Sequence, residues 1–189
     1  MRIIAGTFRG KKILEPKDNL TRPLKDLTKE SIFNILNHSN KLEINLKNSN
    51  ILDLFAGVGS FGIECLSRGT KQVIFVEKYK AVLPILKKNL QNLKLIKNFE
   101  IIEKDIYEIN FFKSLNKKFD IIFMDPPYKD KNLNILLDKI KNENVLNKNG
   151  ILVLHRHKDE NDLIPDNIKV IEEKKYGLSK IIFLSILDQ

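Results

Sequence analysis

Directly behind the apolar run Ile121-Ile122-Phe123-Met124 stands the tetrapeptide Asp125-Pro126-Pro127-Tyr128. Two successive prolines fix two φ angles and remove two backbone donors, and Pro126 confines Asp125 to extended conformations. The result is a stiff bend offering one carboxylate, carbonyl acceptors and one aromatic ring. Those groups suit a planar, amino-bearing base, whose N–H hydrogens need acceptors and whose face can stack on the Tyr128 ring. Asp-Pro and Pro-Pro also mark ordinary loops, so the remainder of the chain decides between the two readings.

A second motif is Asp53-Leu54-Phe55-Ala56-Gly57-Val58-Gly59-Ser60-Phe61-Gly62. Gly57, Gly59 and Gly62 fit the G-x-G-x-x-G spacing between a predicted strand and a predicted helix, and Glu77 lies 20 residues after Gly57 at the end of the next strand. That spacing marks a nucleoside-binding loop, with Glu77 on ribose hydroxyls. An acidic Asp53 would repel a pyrophosphate but can face the ammonium of a methionine moiety. This favours S-adenosylmethionine over NAD. Asp105, after the predicted third strand, lies on the same rim and can accept from an adenine amino group or cap a helix beginning at 106. Phe55 and Ser60 in the loop, and Ile106 beside Asp105, are candidate contacts to the same nucleoside.

Other chemistries find less support. His155 and His157 stand two apart on one side of a predicted strand, with no third ligand nearby and His38 remote. The reading is exposed or RNA-facing histidines rather than a zinc site. Ser60 lacks the spacing of a nucleophile elbow.

These residues need a scaffold. Predicted strands at Ile51–Phe55, Val73–Glu77, Phe99–Ile102, Asp120–Met124, Ile151–His155, Val170–Lys174 and Ile181–Leu187 alternate, in the earlier part, with helices near 60–68, 80–93 and 131–141. Such alternation with near-continuous apolar strands indicates an α/β fold: a doubly wound, mostly parallel, seven-stranded Rossmann-like sheet. The turn Tyr176-Gly177-Leu178-Ser179 is too short for a parallel crossover, so the last strand is antiparallel. A further helix is expected over Leu24 to Leu36, with Asp26 as N-cap and Leu27, Ile32, Ile35 and Leu36 on its apolar face. Residues 1–20 read as a basic β-hairpin extension, Arg2-Ile3-Ile4 against Lys12-Ile13-Leu14, ahead of a domain spanning 21–189. The Lys/Asn-rich stretches near 40–50 and 141–149 read as solvated connections.

The chain has 189 residues, 33 Lys+Arg against 24 Asp+Glu, a net charge of +9 and one cysteine. Cys65 alone excludes an intrachain disulfide and any cysteine-based zinc site, and fits a packed helical position. No apolar stretch reaches the length of a membrane span, and the start lacks a signal-peptide core; a cytoplasmic protein is expected. The basic excess favours a polyanionic partner, although a Lys- and Asn-rich composition alone can produce it. Placement is more telling: Arg2, Arg9, Lys11, Lys12 and Arg22 crowd the opening residues.

With Asp53, Gly57, Gly59, Glu77 and Asp125-Pro126-Pro127-Tyr128 in one chain, the sequence resembles class I S-adenosylmethionine-dependent methyltransferases acting on exocyclic amino groups. It is similar in particular to the RsmD family of bacterial 16S rRNA guanine-N2 methyltransferases. That likeness rests on Arg2-Ile3-Ile4-Ala5-Gly6-Thr7-Phe8-Arg9-Gly10-Lys11-Lys12, Arg22-Pro23, Lys29-Glu30-Ser31-Ile32-Phe33-Asn34-Ile35-Leu36 and Leu66-Ser67-Arg68-Gly69. Leu27, Lys29 and His155-Arg156-His157 depart from it, standing where the family carries basic residues, arginine and acidic residues. The resemblance implies methylation of a guanine in small-subunit rRNA, free or in an assembling subunit, by a monomer that needs no metal. Asp125 and the carbonyl of Pro126 would accept the amino hydrogens, Tyr128 would stack on the base, and Arg2, Arg9, Lys11, Lys12 and Arg22 would hold RNA. The alternatives are an NAD-dependent oxidoreductase, an amino-methyltransferase acting on DNA or protein glutamine, and a non-catalytic RNA-binding protein.

Overall fold

The computed structural model describes residues 1–16, 24–94, 97–127 and 129–187; Arg22 and Tyr128 lie outside them. Seven strands form one sheet: β1 (Asn50–Leu54), β2 (Gln72–Val76), β3 (Phe99–Ile102), β4 (Phe119–Met124), β5 (Leu146–His157), β6 (Ile168–Tyr176) and β7 (Ser179–Ile186). Their spatial order is β3-β2-β1-β4-β5-β7-β6. β1 to β5 pair in parallel, whereas β7 runs antiparallel to both β5 and β6. The expected mostly parallel sheet with an antiparallel last strand is therefore present. The strand order reverses beside β1, between β1 and β4, and ligands bind outside the strand ends at such a switch point.

Helices α1 (Asp26–His38), α2 (Ser60–Ser67), α3 (Leu83–Gln91), α4 (Phe111–Ser114) and α5 (Leu133–Asn142) cover the sheet. Strand alternation sends Ile51, Phe75, Ile121, Phe123, Val153 and Phe183 into one core with Phe33, Phe61 and Leu86. Leu52, Ile74, Ile122, Met124 and Leu154 enter the other, with Phe111, Leu136, Leu137 and Ile140. The Phe61 ring stacks on Phe123 at 4.1 Å and on Phe33 at 5.3 Å, which ties the start of α2 to β4 and to α1. Truncating such a buried ring to alanine costs about 3–5 kcal/mol.

Several local expectations are corrected. Lys25, not Asp26, is the N-cap of α1, and it makes no side-chain cap. Asp26 is the first helical residue; its carboxylate accepts from the Arg2 backbone N–H at 3.3 Å. Leu27 is 67% exposed rather than on the apolar face; Thr28 and Lys29 are buried where the helix meets the N-terminal segment and α2. Residues 146–149 are not a connection but the start of strand β5, where Leu146 is buried and pairs with Phe119 beside a bulge while Lys148 and Asn149 stay exposed. Cys65 is buried in α2, as expected.

The N-terminal hairpin is minimal, a single antiparallel bridge between Arg2 and Lys12. Its backbone is held by its own hydrogen bonds, Ile3 N–H to the Lys11 carbonyl and Ile13 N–H to the Met1 carbonyl among them, and by the body of the protein. The Glu64 carboxylate accepts from the N–H groups of Ile4 and Ala5 at 2.8 and 2.9 Å. The Asn89 amide exchanges two hydrogen bonds with the backbone of Leu14. Ile3, Phe8 and Ile13 enter the same core as α1 and α2. Approach to α2 is so close at Gly6 that a Cβ there would collide with the Ser67 carbonyl.

Candidate active site

Sheet pleat and register bring the acidic candidates together. Asp53 follows Ile51 by two residues, Glu77 follows Phe75 and Asp125 follows Phe123, so all three continue the row of side chains that faces α1 and α2. They emerge at the carboxyl ends of β1, β2 and β4.

After β1 the chain turns sharply, with φ of 59° at Phe55, 55° at Gly57 and 87° at Gly59. Gly59 is the N-cap of α2. The turn points backbone N–H groups at the acids: Gly57 donates to Glu77 Oε2 at 2.7 Å, and Gly62 donates to Asp53 Oδ2 at 3.0 Å. Glu77 Oε1 accepts a further bond from the Tyr79 N–H at 2.7 Å. Gly62 must be glycine because a Cβ there would press into the Phe75 ring and lie 2.9 Å from Asp53 Oδ2. Glu77 is 9% exposed and Asp53 only 1%. Burial pushes the Asp53 carboxyl up to about 8; the Gly62 N–H opposes this, while the Asp125 and Glu77 charges add to it. Burial thus favours the neutral carboxyl, and a cation placed beside it would favour the ionised form.

Ser60 opens α2 and is buried; its hydroxyl lies 3.4 Å from Lys29 Nζ, which also donates to the Arg2 carbonyl at 2.7 Å. Lys29 is fully buried, and desolvation lowers its pKa against the pull of Glu64 and Asp26. Asn89 Nδ2 donates to the Val58 carbonyl at 3.0 Å as well as to Leu14. Lys29 and Asn89 thus fasten the glycine turn to the N-terminal segment. On that segment Arg2, Arg9, Lys11 and Lys12 are all exposed. Lys11 sits 4.8 Å above the Phe8 ring.

No helix starts at 106. Asp105 instead closes an Asx turn, accepting from the Tyr107 N–H at 3.0 Å, and pairs with Lys78 at 2.8 Å; burial raises its pKa less than these partners lower it. Ile106 is buried among the residues of the second core.

The Asp-Pro-Pro bend is fixed from outside its own sequence. Pro126 is buried and Pro127 exposed. The Pro127 carbonyl accepts from the Asp130 N–H at 2.8 Å and from Arg156 Nη1 at 3.3 Å. Arg156 is itself buried and gripped by both oxygens of Asp162, at 2.8 and 2.9 Å. Tyr107 donates its hydroxyl to Asp130 at 3.0 Å, joining this loop to the Asp105 turn. His155 is not exposed: at 7% accessibility it places Nδ1 2.9 Å from Asp125 Oδ1 and Nε2 2.9 Å from Ser179 Oγ. Sequence reasoning missed His155, Arg156, Lys29 and Asn89 as parts of the site. The signal for His155 was register: Phe123 pairs with Val153, so two residues on Asp125 meets His155.

A sheet of this order carrying a glycine turn with acids at the ends of β1, β2 and β4 defines the class I methyltransferase architecture. The ribosomal protein L11 methylase of Lactobacillus delbrueckii shares that fold, with a TM-score of 0.63 over 83% of this chain and 76% of its own, at 16% identity. The yhhF protein of Escherichia coli superposes with a TM-score of 0.80 at 25% identity, covering 100% of this chain and 99% of that one. The ribosomal RNA small subunit methyltransferase D of Haemophilus influenzae is 35% identical over 181 residues, 94% of this chain and 90% of that protein. Residues 1–185 match the family described as conserved hypothetical protein 95. The chain belongs to that family, together with the small-subunit methyltransferase D proteins.

Proposed function

We propose that the protein transfers a methyl group from S-adenosylmethionine to the exocyclic N2 of a guanine in small-subunit rRNA. The observation that carries this reading is the row of Asp53, Glu77 and Asp125 on one sheet face around the glycine turn, in a chain of this family. The residues fit the cofactor. Asp53, buried and held near neutral, suits the methionine ammonium. Both Glu77 oxygens are aimed by backbone N–H groups and retain lone pairs for ribose hydroxyls. NAD would bring a pyrophosphate, which offers the buried Asp53 no cation to pair with and repels it once ionised.

When bound, S-adenosylmethionine supplies an electrophilic methyl on a sulfonium whose sulfur leaves, with the C–S electron pair, as a neutral thioether. The protein's own part is positioning and electrostatics. Guanine N2 is a weak nucleophile because its lone pair is delocalised into the ring. Asp125 and the Pro126 carbonyl accept its two hydrogens and favour a pyramidal nitrogen with its lone pair directed at the methyl. That pair forms the N–C bond, and the surplus proton leaves N2 after transfer, to the Asp125 carboxylate or to water. The Tyr128 ring stacks on the base, which is splayed out of its helix. Arg2, Arg9, Lys11, Lys12 and Arg22 hold RNA phosphates.

Thermal denaturation in the presence of each cofactor tests the reading. S-adenosylmethionine and its demethylated product should raise Tm, and NAD should not. A larger shift with NAD would overturn it.

A further inference from the structure

His155 is a buried titratable group that the mechanism above leaves unused. Its imidazole bridges two elements. Nδ1 meets Asp125 at the end of β4, and Nε2 meets Ser179 at the start of β7. The Asp125 carboxylate can only accept, so Nδ1 carries a proton and donates to it. The Ser179 hydroxyl can both donate and accept. It donates to Nε2 of the neutral ring and accepts from the imidazolium. The pocket therefore satisfies both protonation states without moving a heavy atom.

We propose that His155 is a positioning residue for methyl transfer: it orients Asp125 toward the target amino group and, by keeping or giving up its second ring proton, sets how strongly that carboxylate accepts. The inference rests on the reading of Asp125 as the group that faces guanine N2. With His155 neutral, Asp125 keeps its full charge for the amino group. With His155 cationic, the carboxylate is shared in an ion pair and accepts more weakly. Burial and two neighbours set the balance. Burial favours the neutral ring, the Asp125 charge and hydrogen bond outweigh it, and the Arg156 guanidinium on the same strand opposes the cation, leaving the His155 pKa raised. A purely structural His155 would staple β4 to β7 and leave the chemistry independent of its proton.

The test is a pH–rate profile of single-turnover transfer at saturating cofactor and RNA, so that binding does not enter. The wild type should show a rising limb whose midpoint matches the His155 titration read by 15N-imidazole NMR. His155→Gln should lose that limb and transfer at least ten-fold more slowly on the plateau, with KM for RNA unchanged. Ser179→Ala, which leaves His155 and Asp125 in place, should shift the limb and the NMR midpoint together, and it decides the matter if His155→Gln fails to fold. A profile unmoved in Ser179→Ala, or a rate within two-fold of wild type in folded His155→Gln, would overturn the proposal. Asp125→Ala separates the two levels. If it transfers normally, the reading of Asp125 itself has failed; if it is inactive while the His155 and Ser179 variants keep the wild-type profile, only the role of His155 has.

Discussion

The two halves of the site are built on opposite plans. In the proposed cofactor half, the chain that supplies the acids also orients them: Asp53 accepts from Gly62 in the first turn of α2 and Glu77 from Gly57 of the glycine turn, nine and 20 residues away. In the acceptor half, a rigid bend is aimed by side chains of another strand, with His155 on Asp125 and Arg156 on Pro127. Carboxylates that meet a nucleoside can be aimed by backbone amides, provided glycines allow the turn that brings those amides close. An unusual nucleophile calls for a carboxylate whose charge and direction are tuned by specific partners.

The largest expected effect separates the halves most sharply. Asp125→Ala should abolish transfer, on the order of 10³-fold or more, lowering kcat and kcat/KM together because its contact strengthens only as N2 pyramidalises. Calorimetry should find cofactor affinity intact. Glu77→Ala should do the reverse, weakening the cofactor by roughly 1.5–3 kcal/mol, the worth of a hydrogen bond to a charged group, while transfer at saturating cofactor survives. Unchanged affinity in the folded variant would remove Glu77 from the site.

Asp53 gives a pH signature. Its folded pKa of about 8 lies above the ordinary carboxylate value of 3.8, so its ionisation opposes folding. Stability from this group is complete below about pH 4 and declines as pH rises toward 8. Asp53→Asn should therefore melt higher than wild type, with a gap that widens over that window. In the wild type, pairing with an ammonium requires the ionised acid, so cofactor affinity should climb from pH 6 toward 8. The variant should bind weakly without that climb. Equal slopes in calorimetry would deny the pairing.

A smaller effect is expected at the N-terminal segment. Neutralising Arg2, Arg9, Lys11 and Lys12 should flatten the salt dependence of RNA binding by about 0.7–0.9 log units per lost phosphate contact. Cofactor affinity should stay constant, since the Leu14 and Arg2 links to the glycine turn are made by their backbone. An unaltered salt slope in filter binding would make the basic excess compositional.

The same contrast governs what could be read from the sequence. The glycine turn and Glu77 are local to one strand–turn–helix–strand unit, and their spacing alone brings Gly57 within 2.7 Å of Glu77. The mostly parallel sheet and the antiparallel β7 followed from alternation and one short turn, whereas the strand order did not. By contrast, His155 was read as exposed, because its burial depends on β5 lying between β4 and β7, a relation across 24 to 30 residues. Leu146 and Asn147 in a Lys/Asn-rich run looked solvated, yet Leu146 is buried and pairs with Phe119. Lys29 is unexpected in a core; its burial is compensated by Arg2, Ser60 and Glu64, partners from elements far apart in the chain.

Mass spectrometry of nucleosides is the most direct trial of the proposed chemistry. Unmodified small subunits incubated with the protein and methyl-labelled S-adenosylmethionine, then digested, should yield labelled N2-methylguanosine from the 16S rRNA at one site, and none with Asp125→Ala. Label on another base or on a guanine ring nitrogen, or equal labelling by Asp125→Ala, would contradict it.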